Sequence, residues 1–208
     1  MQAYEKMETL GIVPNDESFN HLMTGFAKNR DIEMVEKLNN IAIEKYGIRP
    51  SIQRYNALIL VYAKSNRALD AEKVLKEMIK EGLRPDHVCY TTVIDAYKRE
   101  RNIPKCWDLY DYFHSSVENY NQVADEFMMS YMIRLCAYTH EPEKAINLFN
   151  KMEAGGFIEY AIPYNSLIFS LASSKQYADK ALEYWHKMQM KRITPDRHTF
   201  VAVLKACS

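Results

Sequence analysis

The chain has 208 residues with 48% apolar side chains, 27 basic against 27 acidic groups, and only 6 Gly and 7 Pro, a balance that suits an ordered, helix-rich protein and excludes a disordered tail. Formal net charge is zero, so no long-range pull on nucleic acid or an anionic membrane follows from the total, and any such attraction must come from local placement of charge. Cys89, Cys106, Cys136 and Cys207 form no CxxC pair and have no His at zinc-finger spacing, which reads as reduced thiols without a metal; an apolar run of about 18 residues that would span a bilayer is missing too, as is the residue succession of a secretory signal.

In chain order, "MQAYEKMETLGIVPN" (residues 1–15) predicts a helix of the kind that closes a two-helix unit. "FNHLMTGFAK" from Phe19 opens the next pattern, and its polar Asn20 recurs as Asn56 in "YNALILVYAK" (residues 55–64) and as Asn165 in "YNSLIFSLAS" from Tyr164. Asparagine is a poor interior helix residue because its amide competes for backbone hydrogen bonds, so the recurrence suggests a purpose beyond folding. These first helices carry an i, i+3, i+4, i+7 apolar face: Tyr55, Leu58, Ile59 and Tyr62, then Tyr90, Val93, Ile94 and Tyr97. Second helices are clearest in "LDAEKVLKEM" (residues 69–78), "EKAINLFNKM" (residues 143–152) and "DKALEYWHKM" (residues 179–188). There Ala71, Ala145 and Ala181 let helices approach, and Met78, Met152 and Met188 close the apolar stripe.

One punctuation mark separates these elements: "TLGIVPN", "EKYGIRPS", "KEGLRPD" and "MKRITPD" each end one helix and start another, since Pro cannot continue a helix and a preceding Gly suits a helix C-terminus. The stretch "HSSVENYNQVADE" (residues 114–126) replaces that mark and adds four residues. Its surrounding aromatics, Trp107, Tyr110, Tyr112, Phe113 and Tyr120, read as packing rather than a binding platform. The closing "RHTFVAVLKACS" (residues 197–208) matches a first helix alone.

From Asn20 through Asn56, Thr91, Ser130, Asn165 and Val201 the steps are 36, 35, 39, 35 and 36 residues, the self-similarity of a stacked repeat. One hairpin buries too little apolar surface to offset the entropy of ordering it, so neighbours must share faces. The expected fold is all-α: an α-solenoid of stacked helix-turn-helix repeats, an alpha-alpha superhelix whose handedness the pattern leaves open. Residues 1–15 form a partial repeat; 16–51, 52–86, 87–125, 126–160 and 161–196 form full repeats; 197–208 form another partial one. The whole reads as a stretch of a longer solenoid.

"IQRYNALILVYAKSNRALDAEKVLKEMIKEGLRPD" (residues 52–86) resembles a near-consensus pentatricopeptide repeat, and the resemblance extends over essentially the whole chain. The tetratricopeptide alternative has a Trp, Leu-Gly, Tyr pattern that is absent here. The resemblance implies single-stranded RNA binding in mitochondria or chloroplasts, about one nucleotide per repeat, in transcript stabilisation, processing or translation. It assigns base reading to Asn20 with Ser51, Asn56 with Asp86, Thr91 with Asp125, Ser130 with Tyr160, and Asn165 with Asp196. The implied preferences are C, U, G, undetermined and U. Base stacking falls to Val88, Phe127 and Ile162, while Glu17 and Gln53 depart from the family pattern at that position. Lys28, Lys64 and Arg99, two turns after the reading residue, are placed to contact phosphates; Tyr138 and Ser173 take their place in the fourth and fifth repeats.

Plain structural roles compete with each assignment. Ser51, Asp86, Asp125 and Asp196 stand where helix N-caps stand, and Lys28, Lys64 and Arg99 suit helix C-termini. No HExxH, phosphate-loop Lys or activated nucleophile is present, so the sequence reads as a non-enzyme with no catalytic residues, cofactor or metal. An alternative from another class is a structural subunit contacting ribosomal RNA or protein in a mitochondrial ribosome or other large organellar assembly.

Overall fold

The computed structural model describes residues 2–115, 122–157 and 160–207, excluding the side chains at 2, 3, 8 and 122–125. Twelve α-helices are found among them: α1 (Gln2–Thr9), α2 (Asp16–Lys28), α3 (Ile32–Glu44), α4 (Ile52–Lys64), α5 (Ala68–Lys80), α6 (His87–Arg99), α7 (Ile103–Ser115), α8 (Gln122–Thr139), α9 (Pro142–Ala154), α10 (Ala161–Leu171), α11 (Ala178–Met190) and α12 (Arg197–Ala206), with a 3-10 turn at Lys175–Tyr177 before α11. Strands are absent among the described residues.

The chain divides into two compact units, Met1–Phe113 and His114–Ser208. Each is a run of stacked helical hairpins, the α-solenoid architecture. In the first unit α4 packs against α2 and α6, so first helices lie side by side, while α3 and α5 cover their backs. Phe19, Met23, Leu38, Ile59, Leu75 and Ile94 are fully buried there. In the second unit α10 packs between α8 and α12, with α9 and α11 behind. Phe149 of α9 joins the two layers, meeting Tyr164 at 5.0 Å and Tyr184 at 5.3 Å, both edge to face. The expected small-residue and Met positions are buried throughout: Ala71, Ala145, Ala181, Met78, Met152 and Met188.

Helix ends follow from local chemistry. Gly82 has φ +76°, which lets its N–H reach Ile79 O at 3.0 Å and the Leu83 N–H reach Met78 O at 3.1 Å, closing α5 in a Schellman turn. Arg30, Asn66, Arg101, His140 and Arg192 hold the same left-handed conformation without being glycine. Tyrosine hydroxyls donate to glutamates at three places, Tyr62 to Glu36, Tyr97 to Glu72 and Tyr177 to Glu143. A buried arginine was not foreseen. Arg54 has no exposed surface, donates to Ile48 O at 2.8 Å, and its Nε lies 3.1 Å from Asp16 Oδ1.

The third interval differs from the other four. Helix α8 begins at Gln122 and runs 18 residues against 13 for α4 or α6. Asp125 therefore lies inside a helix, not at an N-cap as the sequence suggested, and its side chain lies outside the described residues, as does Tyr120. Of the other aromatics, Tyr110 and Phe113 are buried and Trp107 stacks edge to face on Tyr110, as packing residues do, whereas Tyr112 is exposed.

Candidate nucleic-acid interface

Because side chains five residues into a first helix share one register, stacking the first helices lines these residues up within each unit. Their environments differ, and the differences decide what each can offer a ligand.

The fifth repeat shows the expected pairing in full. Asn165 Nδ2 of α10 donates to both carboxylate oxygens of Asp196, each at 3.0 Å, across 31 residues of sequence. Asp196 also caps α12, accepting from Thr199 N–H at 2.9 Å, with Thr199 Oγ1 accepting in return from the Asp196 N–H at 2.9 Å. Capping and pairing are thus both true of one side chain. Burial alone would raise the Asp196 pKa, but hydrogen bonds from the Thr199 and His198 backbone, the Thr199 hydroxyl and the Asn165 amide hold it below the usual carboxylate range. Asn165 Oδ1 is left buried with no partner. Beside it opens a cavity of about 460 Å³ lined by Arg134, Ile162, Asn165, Phe169, His198 and Val201, a volume within the range of small-ligand sites.

In the second repeat Asn56 and Asp86 meet through a third residue. Asn56 Oδ1 accepts from the Cys89 thiol at 2.7 Å, while Asp86 caps α6 by accepting from the Cys89 N–H at 2.9 Å. Burial, then the nearby Asp86, pushes the Cys89 thiol far above its ordinary pKa, so it stays protonated and donates. This fixes Asn56 with its oxygen inward.

The first repeat departs from the expected coupling. Asn20 Nδ2 donates to Asp16 Oδ2 at 3.1 Å, one turn earlier on α2, and its Oδ1 is buried without a partner. Ser51 instead caps α4 through the Arg54 N–H at 3.4 Å. A charged acceptor at i−4 on the same helix outcompetes a neutral hydroxyl on another segment. A groove of about 770 Å³ there is lined by Asp16, Glu17, Asn20, His21, Lys28 and Gln53 among others.

In the third repeat the Thr91 hydroxyl turns back onto its own helix, 2.8 Å from His87 O and 3.2 Å from Val88 O. In the fourth, Ser130 is only 3% exposed, with its Oγ unpartnered. The early start of α8 makes Ser130 the ninth residue of its helix where Asn56 is the fifth of α4, and burial removes it from any base edge. Tyr160 stands 62% exposed before α10 and makes no side-chain cap.

The stacking candidates lie on the surface: Val88, Phe127 and Ile162 are 47%, 43% and 45% exposed, although most other apolar groups of their helices are buried. Glu17 and Gln53 are likewise exposed. Lys28 is exposed and Lys64 half-buried at the ends of α2 and α4. Arg99 is engaged within its own helix, its Nη2 lying 2.9 Å and its Nε 3.1 Å from Asp95 Oδ2, which neutralises much of the charge assigned to phosphate contact. Residues that sequence reasoning passed over are Arg134, Phe169, His198 and Lys205. The period itself would have found three of them, since Arg134, Phe169 and Lys205 each lie four residues after a repeat-register position. Among the described residues no cluster of three or more His, Cys, Asp and Glu groups could hold a metal, and no helix is long and apolar enough to cross a membrane.

The description "Pentatricopeptide repeat domain" matches residues 3–65 and 147–208, "PPR repeat family" residues 50–99, and "PPR repeat" residues 88–116 and 127–157. A mitochondrial pentatricopeptide repeat-containing protein of Arabidopsis thaliana is 26% identical over all of this chain and 36% of its own length. The mitochondrial 15S rRNA processing factor ppr3 of Schizosaccharomyces japonicus is 23% identical over 92% of this chain and 28% of its own. The chain thus spans only about a third of such relatives. Among solved structures, the pentatricopeptide repeat protein PPR10 in complex with an 18-nt psaJ RNA element superimposes with a TM-score of 0.69 at 19% identity, covering 93% of this chain and 28% of that one, a likeness of fold.

Proposed function

The chain belongs to the pentatricopeptide repeat family, and from that premise we propose that it binds single-stranded RNA in an organelle, the mitochondrion first, and acts in transcript stabilisation, processing or translation by binding rather than by catalysis. The observation that carries this reading is the Asn165–Asp196 clasp beside the 460 Å³ cavity. An amide held by a carboxylate presents one fixed edge, and fixed donors and acceptors are what discriminate bases. Ile162 flanks the cavity with the apolar surface on which a base stacks. The relatives' names that carry "mitochondrial", one of them a ribosomal RNA processing factor, support the compartment and the processing role.

Of the remaining positions, Asn56 with Asp86 retains a polar edge oriented by Cys89, Thr91 offers a hydroxyl bonded to its own helix, and Asn20, Ser130 and Tyr160 contribute little base reading. Val88 and Phe127 serve as further stacking surfaces, and Lys28 and Lys64 as phosphate contacts. The groove at Glu17 and Gln53, where polar side chains stand in place of stacking ones, favours, for that end of the first unit, the second reading of a protein-contacting subunit in a large organellar assembly. Co-purification with ribosomal subunits that persists after nuclease treatment would select that reading.

The test is binding of short RNAs differing at single positions. With the unaltered chain one position prefers U, and Asn165→Thr shifts that preference toward G by about tenfold, the usual scale of one mismatched contact. Equal loss for every sequence, or no RNA binding at all, overturns the proposal.

A further inference from the structure

The cavity next to Asn165 has a cationic wall that the family pattern does not assign. Helices α8 and α12 both pack on α10, and each turns a basic side chain toward the same ring: the Arg134 guanidinium carbon lies 5.9 Å from the Phe169 ring centroid and Lys205 Nζ lies 4.1 Å from it. Lys205 Nζ is further held by Ser173 Oγ at 2.8 Å, and that hydroxyl donates to Phe169 O at 2.8 Å. The result is a cation–ring–cation ladder across three successive first helices. Register positions in the first unit carry Thr24, Leu60 and Asp95 instead, and Asp95 neutralises the neighbouring Arg99.

Arg134 and Phe169 line the cavity together with Asn165 and Ile162. Arg134 is exposed and makes no ion pair among the described residues. A guanidinium in cation–π contact with a ring is drawn toward it while its fork of N–H donors, only weakly hydrated, stays available to a second partner. Such a fork recognises two oxygens of a phosphate at once. The positions at which phosphate contacts were expected in the fourth and fifth repeats hold Tyr138 and Ser173, so a backbone passing this cavity needs its cation from elsewhere.

We propose that Arg134, oriented by Phe169 and reinforced by the charge of Lys205, binds the phosphodiester of the nucleotide whose base enters the Asn165–Asp196 cavity. The inference rests on the RNA-binding reading of that cavity. It adds to the lysines of the first unit an electrostatic contact with RNA in the second.

The experiment measures binding of a uridine-containing single-stranded RNA of about ten nucleotides to the unaltered chain and to Arg134→Ala, Arg134→Lys and Asn165→Ala, at 50 and 200 mM salt, with circular dichroism checking the fold. Arg134→Ala is expected to weaken binding about tenfold at 50 mM salt, the scale of one charge-assisted contact, equally for all sequences, and to reduce the log–log salt slope by about 0.7. Arg134→Lys restores the slope but only part of the affinity, and Asn165→Ala alters base preference with the slope unchanged. Replacing the contacted phosphate by a neutral methylphosphonate gives the same loss in the unaltered chain and no added loss in Arg134→Ala. A folded Arg134→Ala protein with unchanged affinity and slope overturns this inference while the RNA-binding reading stands; an unaltered chain that binds no RNA overturns both.

Discussion

Arg54 shows how a single residue links folding to the interface. Its guanidinium is fully buried, joined to Ile48 O and to Asp16, and Asp16 in turn holds the Asn20 amide. Burial lowers the Arg54 pKa against the Asp16 charge that raises it, yet an arginine stays charged at any working pH. Removing its partner leaves that charge uncompensated. Asp16→Ala is expected to destabilise by about 2 kcal/mol, less than the 3 to 5 of a wholly buried pair because Asp16 keeps partial access to water. Arg54→Met, which removes the charge and keeps the volume, is expected to lie within about 1 kcal/mol of the unaltered chain. Urea unfolding of the two variants checks the order, and a milder effect of Asp16→Ala would contradict it. None of this was legible in the sequence, since a lone Arg in an amphipathic helix is ordinarily a surface group. The recurrence of the polar residue at Asn165 was legible from the period, and its partner Asp196 only from the family resemblance; the contact between them is formed, whereas the Asn20–Ser51 pairing that the same resemblance implied yields to a local competitor, Asp16, that neither period nor resemblance reveals.

Helix positions were readable from the apolar spacing and from the Gly and Pro marks, because both act locally on the backbone. Helix α8 was not, since the added residues between 114 and 126 contain no such mark and nothing in their pattern says whether they lengthen a helix or a loop. The structure starts the helix at Gln122, and Ser130 within it is buried. Helix ends also carry removable strain. Arg101, just past α6, has φ +59°, a conformation costing an L-residue with a side chain roughly 1 to 2 kcal/mol. Glycine adopts it freely but loses about 0.5 to 1 kcal/mol through greater freedom in the unfolded chain. Arg101→Gly should therefore raise stability by about 0.5 kcal/mol, seen as a higher urea midpoint with an unchanged slope, and a lower midpoint would show that the arginine side chain makes a compensating contact.

Across the whole molecule, tyrosine–glutamate pairs set the pH range of stability. Burial, then the hydrogen bond to Glu36, pushes the Tyr62 phenol up to about 12; burial and Glu72 raise Tyr97 in the same direction. An unfolded tyrosine ionises near pH 10. The folded chain therefore holds these protons more tightly, so their stabilisation is complete below about pH 10 and is lost as pH rises toward 12. Glu72 sets the opposite limb: burial alone would raise its pKa, but Lys76, Tyr97 and Lys105 bring it below the ordinary value. Its contribution is complete above the unfolded glutamate value of about 4.3 and falls away as acid protonates it. The urea midpoint should accordingly stay level between about pH 5 and 10 and drop on both sides. Tyr62→Phe and Tyr97→Phe together lower the plateau and flatten the alkaline limb, leaving an acid limb set by Glu72 and its lysines. An alkaline limb of undiminished steepness in the double variant would assign the loss to lysine deprotonation, and the phenol–carboxylate pairs would then have no part in the pH response.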